Sequence, residues 1–436
     1  MKIALVSEHA SPLAVAGGVD SGGQNIYVAN VARQLAKSGY HVDVFTRRDR
    51  SLLPLVSRLE GIRVVNVPAG PPVQLPKEVL LPYMEEFAQF MIDFFRKEPT
   101  PYHVLHANFF MSGLVGMRIK DALGTPLVTT FHALGRVRRI HQGASDGFPD
   151  ERFDIEDALV RESDAVIAEC PQDEADLVSL YGADPQRIDI VPCGFDSAEF
   201  EPMNKVHARE QLNWPQDRFI VLQLGRMVPR KGIDNVVRGI GICNHALNEE
   251  AYLYVIGGNS DEANEIATPE IGRLRGIARE RGVADRVNFL GRRGRQGLKI
   301  FYNAADVFVT TPWYEPFGIT PLEAMACGTP VIGAAVGGIC YSVVHGETGL
   351  LVPPRDPVAL ADALATLKRD PGLSRGMGAA GLERARAMFT WYGVAQSLAH
   401  VYARVAGAVL PTVAEAPNTS VSGGEARRAA IGGAGA

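Results

Sequence analysis

Apolar residues along this chain arrive in short runs that alternate with longer stretches of helical period. Ile3 to Ser7 is a compact apolar run ending in polar residues, the pattern of a buried parallel strand whose carboxyl end opens onto a site. After a glycine-bearing loop, Ile26, Val28, Ala29, Val31, Ala32 and Leu35 recur at helical spacing until Gly39. Further strands are predicted at His41 to Thr46, Gly61 to Val67, Val104 to Asn108, Pro126 to Phe131, Ala165 to Ala168 and Arg187 to Pro192. Helical patterns fall between them at Leu75 to Lys97, Phe153 to Ser163 and Gln172 to Leu180. In the first, Tyr83, Phe87, Phe90 and Phe94 lie on or near one stripe, which reads as core.

A linker from Pro202 to Pro215 follows, and the pattern begins again. Phe219 to Gly225, Ala251 to Gly257, Val287 to Gly291, Val307 to Thr310 and Pro330 to Gly333 read as strands alternating with helices. Helices at Asp356 to Leu367 and Gly372 to Arg386, and a last one from Thr390-Trp391 through Val405, close the series. The expectation is an α/β protein with two doubly wound parallel-sheet domains, at 1–200 and 201–388, a final helix at 389–410 and a disordered tail at 411–436.

The length of 436 residues is enough for each domain to bury its own core. A net charge of −5 without any uninterrupted basic tract gives no reason to expect a nucleic-acid partner. The arginines of Gly135 to His141 read first as a solvated face, with a phosphate or lipid-headgroup contact as the second reading. Cys170, Cys193, Cys243, Cys327 and Cys340 lack metal-ligand spacing and read as reduced core residues of a cytoplasmic protein. No run of eighteen apolar residues spans a membrane, and the amino terminus has too short an apolar run for a signal peptide. Peripheral membrane contact and a homodimer are left open.

Candidate chemistry concentrates between Thr311 and Gly333. Glu315 and Glu323 sit eight positions apart, with Pro316 and Gly318 between them. Thr320 reads as an N-cap, Pro321 as the first helical residue and Glu323 as N3 of a capping box, with Gly328 as the stop. Such a helix start aims unpaired N–H groups at an anion. Glu315 precedes a proline in an aromatic loop where no capping role is available. Arg226, Arg230 and Lys231 crowd the carboxyl end of another predicted strand, which argues for anion binding. Gly17-Gly18 and Gly22-Gly23 form a loop between strand and helix, a weak anion-cradle signal. His106 and His132 end strands, where open sheets carry ligands.

Two such halves, a basic Gly-Arg-x-x-x-x-Lys-Gly loop and a Glu-Pro-Phe-Gly stretch whose second Glu follows eight residues later together resemble the retaining glycosyltransferases of family 4. The resemblance covers residues 1 to 405 and is nearest to the branch of sucrose-phosphate synthases and inositol-phosphate N-acetylglucosaminyltransferases. It implies the GT-B architecture, two Rossmann-like domains facing a cleft, with the last helix crossing back to the first. It implies roles as well. Glu315, with Phe317, Gly318 and Ile319, would hold the donor sugar, and Glu323 the ribose of the nucleotide. Arg226 and Lys231 would neutralise the departing diphosphate, His132 would contact the sugar, Gly22 and Gly23 would line the cleft, and Arg292 and Arg293 would lie near the base. Gln24, Asn25, Lys77 and Arg152 would meet the acceptor. Phe109 and Ala133 depart from the inositol-phosphate pattern, where tyrosine and threonine stand, so two bonds to an acceptor phosphate would be missing.

The resulting expectation is a hexosyltransferase that moves sugar from a nucleotide-diphosphate donor, UDP first, to a hydroxyl of a sugar, polyol or sugar phosphate. A peripheral enzyme of glycan or glycolipid assembly is an alternative, and a non-catalytic nucleotide-sugar-binding protein is another. A dinucleotide oxidoreductase is disfavoured because the glycines lack its spacing. The chain has no Asp-x-Asp, so no metal and no cofactor is expected.

Overall fold

The computed structural model describes residues 1–13 and 22–408; Gly17-Gly18 and the predicted disordered tail at 411–436 lie outside the described residues. Strands β1 (Lys2–Val6), β2 (His41–Arg47), β3 (Val56–Leu59), β4 (Ile62–Val67), β5 (Val104–Asn108), β6 (Leu127–Thr130), β7 (Ala165–Ala168) and β8 (Ile188–Ile190) form one sheet in the order β3-β4-β2-β1-β5-β6-β7-β8. Only β3 runs antiparallel, against β4. Strands β9 (Ile220–Leu224), β10 (Tyr252–Ile256), β11 (Val287–Phe289), β12 (Val307–Thr310), β13 (Val331–Ala334) and β14 (Gly349–Val352) form a parallel sheet in the order β11-β10-β9-β12-β13-β14. Helices cover both sheets, so β1 and β5 are buried along their whole length. Strand order reverses between β1 and β5 in one sheet and between β9 and β12 in the other. Ligands of open α/β sheets bind outside the carboxyl ends of the strands at such switch points.

Several expectations need correction. The stripe at Leu75 to Lys97 is helical only from Met84 to Lys97, because Pro76 and Pro82 break the pattern into the 3-10 turns Lys77–Val79 and Leu81–Tyr83. The predicted linker contains the helix Lys205–Leu212, fixed to the second sheet by Arg209, which donates to Asp306 at 2.7 Å and to the Ala304 carbonyl at 2.9 Å. Strand β3, Val-Ser-Arg-Leu, is too polar to show in the apolar pattern, and the apolar β14, Gly-Leu-Leu-Val, is a further strand beyond those predicted. Cys340 is exposed, unlike the other four cysteines. His106 is wholly buried rather than facing a ligand.

The chain passes between the halves twice, and the two passages are bonded to each other. Phe195 N–H donates to the Phe389 carbonyl at 2.8 Å, and Trp391 N–H donates to the Phe195 carbonyl at 3.2 Å. Gly194 is required there because a Cβ would lie 2.8 Å from the Trp391 nitrogen. From this seam the helix Trp391–Ala406, capped by Thr390, crosses back onto the first half. Trp391 meets Tyr27 edge-on, and the Tyr402 hydroxyl lies 2.6 Å from His106 Nδ1. Burial pulls the His106 imidazole down to about 3, so the ring is neutral and makes one donor and one acceptor bond, to Tyr402 and, at 2.8 Å, to Thr130 Oγ1. Tyr402→Phe leaves a buried ring nitrogen without a partner. It is expected to lower stability by about 1–3 kcal/mol, read as a shifted urea midpoint at an unchanged slope.

Candidate active site

At the carboxyl end of β9 the chain turns through Arg226 and the 3-10 turn Pro229–Lys231, then through Gly232 at φ 66. A Cβ on Gly232 would stand 1.9 Å from the Thr311 carbonyl, so only glycine lets this loop lie against the end of β12. Thr311 Oγ1 donates to the Gly232 carbonyl at 2.9 Å, and Trp313 N–H donates to the Arg230 carbonyl at 2.9 Å. From the other side Gly338 N–H donates to the Glu315 carbonyl at 3.2 Å, where a Cβ on Gly337 would lie 1.9 Å away. Held between these contacts, the Lys231 ammonium is paired with the Glu315 carboxylate. Burial pulls Lys231 down to about 8 despite that partner. Burial pushes Glu315 up, but the charges of Lys231, Arg230 and Arg226 outweigh it and hold the carboxyl below its ordinary value. Arg226 is exposed to the cleft.

Glu323 has a different setting from the one the sequence suggests. The helix Ile319–Ala326 starts two residues earlier than expected, with Gly318 at φ 92 as N-cap and no side-chain cap. Thr320 and Glu323 therefore do not form a capping box. Glu323 is 1% exposed; its Oε1 accepts from Arg295 Nη1 at 2.7 Å and its Oε2 from the Tyr302 hydroxyl at 2.8 Å. Arg295 also donates to Glu199 at 2.5 Å and packs over Phe200. The uncapped helix start keeps its N–H groups available to an anion. A Cβ on Gly23 would lie 3.7 Å from Ile319 Cδ1, so this helix start faces the start of the helix Gly23–Lys37 across the cleft. Phe317 is corrected as a lining side chain: it is buried against Phe389.

On the first half, His132 follows β6 at φ 57, a strained conformation for a residue with a Cβ. Its Nδ1 lies 2.8 Å from Glu169 Oε1, its Nε2 lies 3.0 Å from Asn108 Oδ1, and Tyr27 meets the ring edge-on. Gln24 Nε2 donates to the Asn108 carbonyl and to Ser7 Oγ, both at 3.1 Å. Asn25 caps its own helix, accepting from Gly22 N–H at 3.0 Å, and donates to the Ser11 carbonyl. Arg152 is enclosed at 1% exposure, bonded to Glu156 and the Ala133 carbonyl under the rings of Phe109, Phe110 and Phe148. Its guanidinium is not open to the cleft as an acceptor ligand would be. Lys77 begins the turn Lys77–Val79.

The halves touch around this site. Gln142 donates to the Tyr314 hydroxyl at 2.6 Å, His141 stacks on Tyr314, and Cys170 Sγ donates to the Pro316 carbonyl at 3.3 Å. The helix Gly135–Gln142 is thus a contact between halves rather than a solvated face. Its arginines are paired, Arg136 with Asp157, Arg138 with Asp146 and Arg139 with Asp150. Arg292 and Arg293 turn to Asp261 instead, and it is Arg295 from the same loop that reaches Glu323. Sequence reasoning missed Arg295, Asn108, Glu169 and Tyr302. For Asn108 and Glu169 the signal was their place at polar strand ends; for Tyr302, a core-facing aromatic, there was none. Among the described residues no group of three or more His, Cys, Asp or Glu side chains is placed to hold a metal ion.

Known proteins share this architecture. Residues 204–384 match the family model described as glycosyl transferases group 1, and residues 21–199 that described as Glycosyltransferase Family 4. The D-inositol 3-phosphate glycosyltransferase of Corynebacterium glutamicum (strain R) is 36% identical over 407 residues, 92% of this chain and 96% of that protein. Its namesake from Acidothermus cellulolyticus is 38% identical over 407 residues, covering 92% and 90%. Sucrose-phosphate synthase from Thermosynechococcus elongatus superposes with a TM-score of 0.84 at 36% identity, over 93% of this chain and 98% of that one. HepE from Anabaena, solved with UDP and glucose, shares the fold at a TM-score of 0.72 and 21% identity, over 93% and 100%. Matched in both halves and along nearly the whole length of these relatives, the chain belongs to glycosyltransferase family 4, with the GT-B architecture.

Proposed function

We propose that this glycosyltransferase moves a hexosyl group from a nucleoside-diphosphate sugar, UDP first, to a hydroxyl of a sugar, polyol or sugar phosphate in the cytoplasm, with retention of configuration. The observation that carries this reading is the Lys231–Glu315 pair with Arg226 beside it, facing an uncapped helix start. Departure of a nucleoside diphosphate adds negative charge, and preorganised donors stabilise it best in a site that excludes water. Arg226, Lys231 and the N–H groups at the start of Ile319–Ala326 are those donors. Binding of the diphosphate draws Lys231 away from Glu315, whose carboxylate then accepts from the sugar hydroxyls. Glu323 takes the ribose once Arg295 yields, and His132, oriented by Glu169 and Asn108, lies against the sugar. The acceptor hydroxyl attacks from the leaving-group side while the diphosphate takes its proton.

The names of the curated relatives favour a polyol phosphate acceptor, and that of the sucrose-phosphate synthase a sugar phosphate. Phe109, Ala133 and the enclosed Arg152 favour an acceptor without phosphate. A thermal-shift screen of UDP-, GDP- and ADP-sugars, then transfer assays with inositol, inositol 3-phosphate, fructose and fructose 6-phosphate, tests both points. A saturating donor at a hundred times its Kd adds about 2.7 kcal/mol of stability, and no shift with any donor would sink the reading.

Arg226→Ala is expected to lower kcat about a hundredfold at an unchanged melting temperature, because the side chain faces the cleft rather than the core. Transfer is expected to continue in EDTA; loss that added magnesium or manganese restores would contradict metal independence. The value of kcat/KM is expected to fall as pH rises through about 8, where Lys231 loses its proton, and Lys231→Arg to move that limb upward. The linked stability runs the other way. The folded-state value lies below the ordinary lysine value of 10.5, so the unfolded chain binds more protons between the two and stability rises there with pH. Glu315→Gln is expected to depress kcat with nucleotide affinity retained. Glu323→Gln is expected to weaken nucleotide binding and lower the melting temperature together, because it disturbs Arg295 and Tyr302; calorimetric titration with UDP separates the two.

A further inference from the structure

The second half carries another cavity, of about 340 Å3, lined by Asp234, Asn235, Arg238, Trp313, Arg355 and Pro357. None of the six takes part in the transfer chemistry above. Among the described residues Arg238 makes no hydrogen bond or ion pair, and Arg355 makes none beyond stacking its guanidinium 4.1 Å from the Trp313 ring centre. Asn235 is 5% exposed, and its amide nitrogen is buried without an acceptor. Asp234 reaches a cation only at 3.9 Å, from Arg273. Two helices begin at the cavity. Asp234 and Asn235 lie in the first turn of Ile233–His245, which has no side-chain cap, and Pro357 opens Pro357–Arg369. The amino end of Ile233–His245 adds partial positive charge to that of the two arginines, whereas that of Pro357–Arg369 is capped by the Asp356 carboxylate. Arg355 also holds φ 61, a conformation that glycine adopts freely and a residue with a Cβ adopts at a cost. Among the described residues no hydrogen bond or ion pair of Arg355 offsets that cost, which leaves the stacking on Trp313 to do so.

We propose that this cavity is a second binding site, for a small phosphomonoester. Arg238 and Arg355 give charge-assisted bonds to the phosphate, the Asn235 nitrogen supplies a neutral donor, and Asp234 accepts from a ligand hydroxyl. The Trp313 ring closes the apolar wall, and the Trp313 backbone N–H donates to the Arg230 carbonyl, so the site shares a wall with the loop carrying Lys231.

The test is equilibrium dialysis of labelled inorganic phosphate against the full chain. Lys231→Gln removes one cleft cation and leaves Arg226 and the helix start, so the cavity is reported by the part of this variant's phosphate binding that Arg238→Gln or Arg355→Gly takes away. Phosphate binding is expected to persist in Lys231→Gln, to yield to competition by β-glycerophosphate but not glycerol, and to weaken at least tenfold when Arg238→Gln or Arg355→Gly is added. Arg355→Gly relieves the strained backbone and is expected to raise the melting temperature by about 2 °C, so lost binding in that variant is not lost fold. Undiminished binding in both cavity variants, loss already in Lys231→Gln, or no competition by β-glycerophosphate would overturn the proposal.

Discussion

A cation and an anion drawn from two different loops, Lys231 and Glu315, are held together by backbone that tolerates no side chain at Gly232 or Gly337. Most of the second half's architecture around the cleft follows from that demand. The ends of β9 and β12 must be neighbours for the loops to meet, which the strand order provides at its reversal. The glycines let the loops approach to hydrogen-bonding distance, and the short helix behind them starts without a side-chain cap, leaving donors in front. Each charge lowers the cost of burying the other, and neither is satisfied so completely that a ligand could not take its place.

Glu323 shows the opposite solution. Its two oxygens are already occupied by Arg295 and Tyr302, and Arg295 is anchored in turn by Glu199 in the passage between halves. A ligand reaching this carboxylate must displace or share an arginine that is also tied to the hinge segment. Access to the Glu323 carboxylate and the passage between the halves are therefore joined through one guanidinium.

Much of this was legible from residues alone. The alternation of buried runs with helical stretches identified both halves, because parallel strands covered on two faces cannot be polar. The crowding of Arg226, Arg230 and Lys231 and the placement of Glu315 before a proline pointed to the charged centre. What failed was local pattern matching where tertiary contact decides. Thr320-Pro321-Leu322-Glu323 satisfies the spacing of a capping box, yet Gly318 starts the helix and Glu323 bonds sideways to another element. His106 looked like a ligand at a strand end, but its fate was set by Tyr402, 296 positions on. Arg152 matched a phosphate ligand by position, while three phenylalanines and Glu156 enclose it.

The seam at Gly194-Phe195 and Phe389-Trp391 carries a consequence for the order in which the molecule becomes complete. Tyr402 and Trp391, which back the strands beneath His132, belong to the last described helix to leave the ribosome. The first half emerges early but lacks that floor until the second half has been made and has folded far enough to return the helix. A chain cut before that helix would leave His106 its Thr130 bond but not the Tyr402 hydroxyl, so the floor beneath His132 is complete only when the last described helix has returned to the first half.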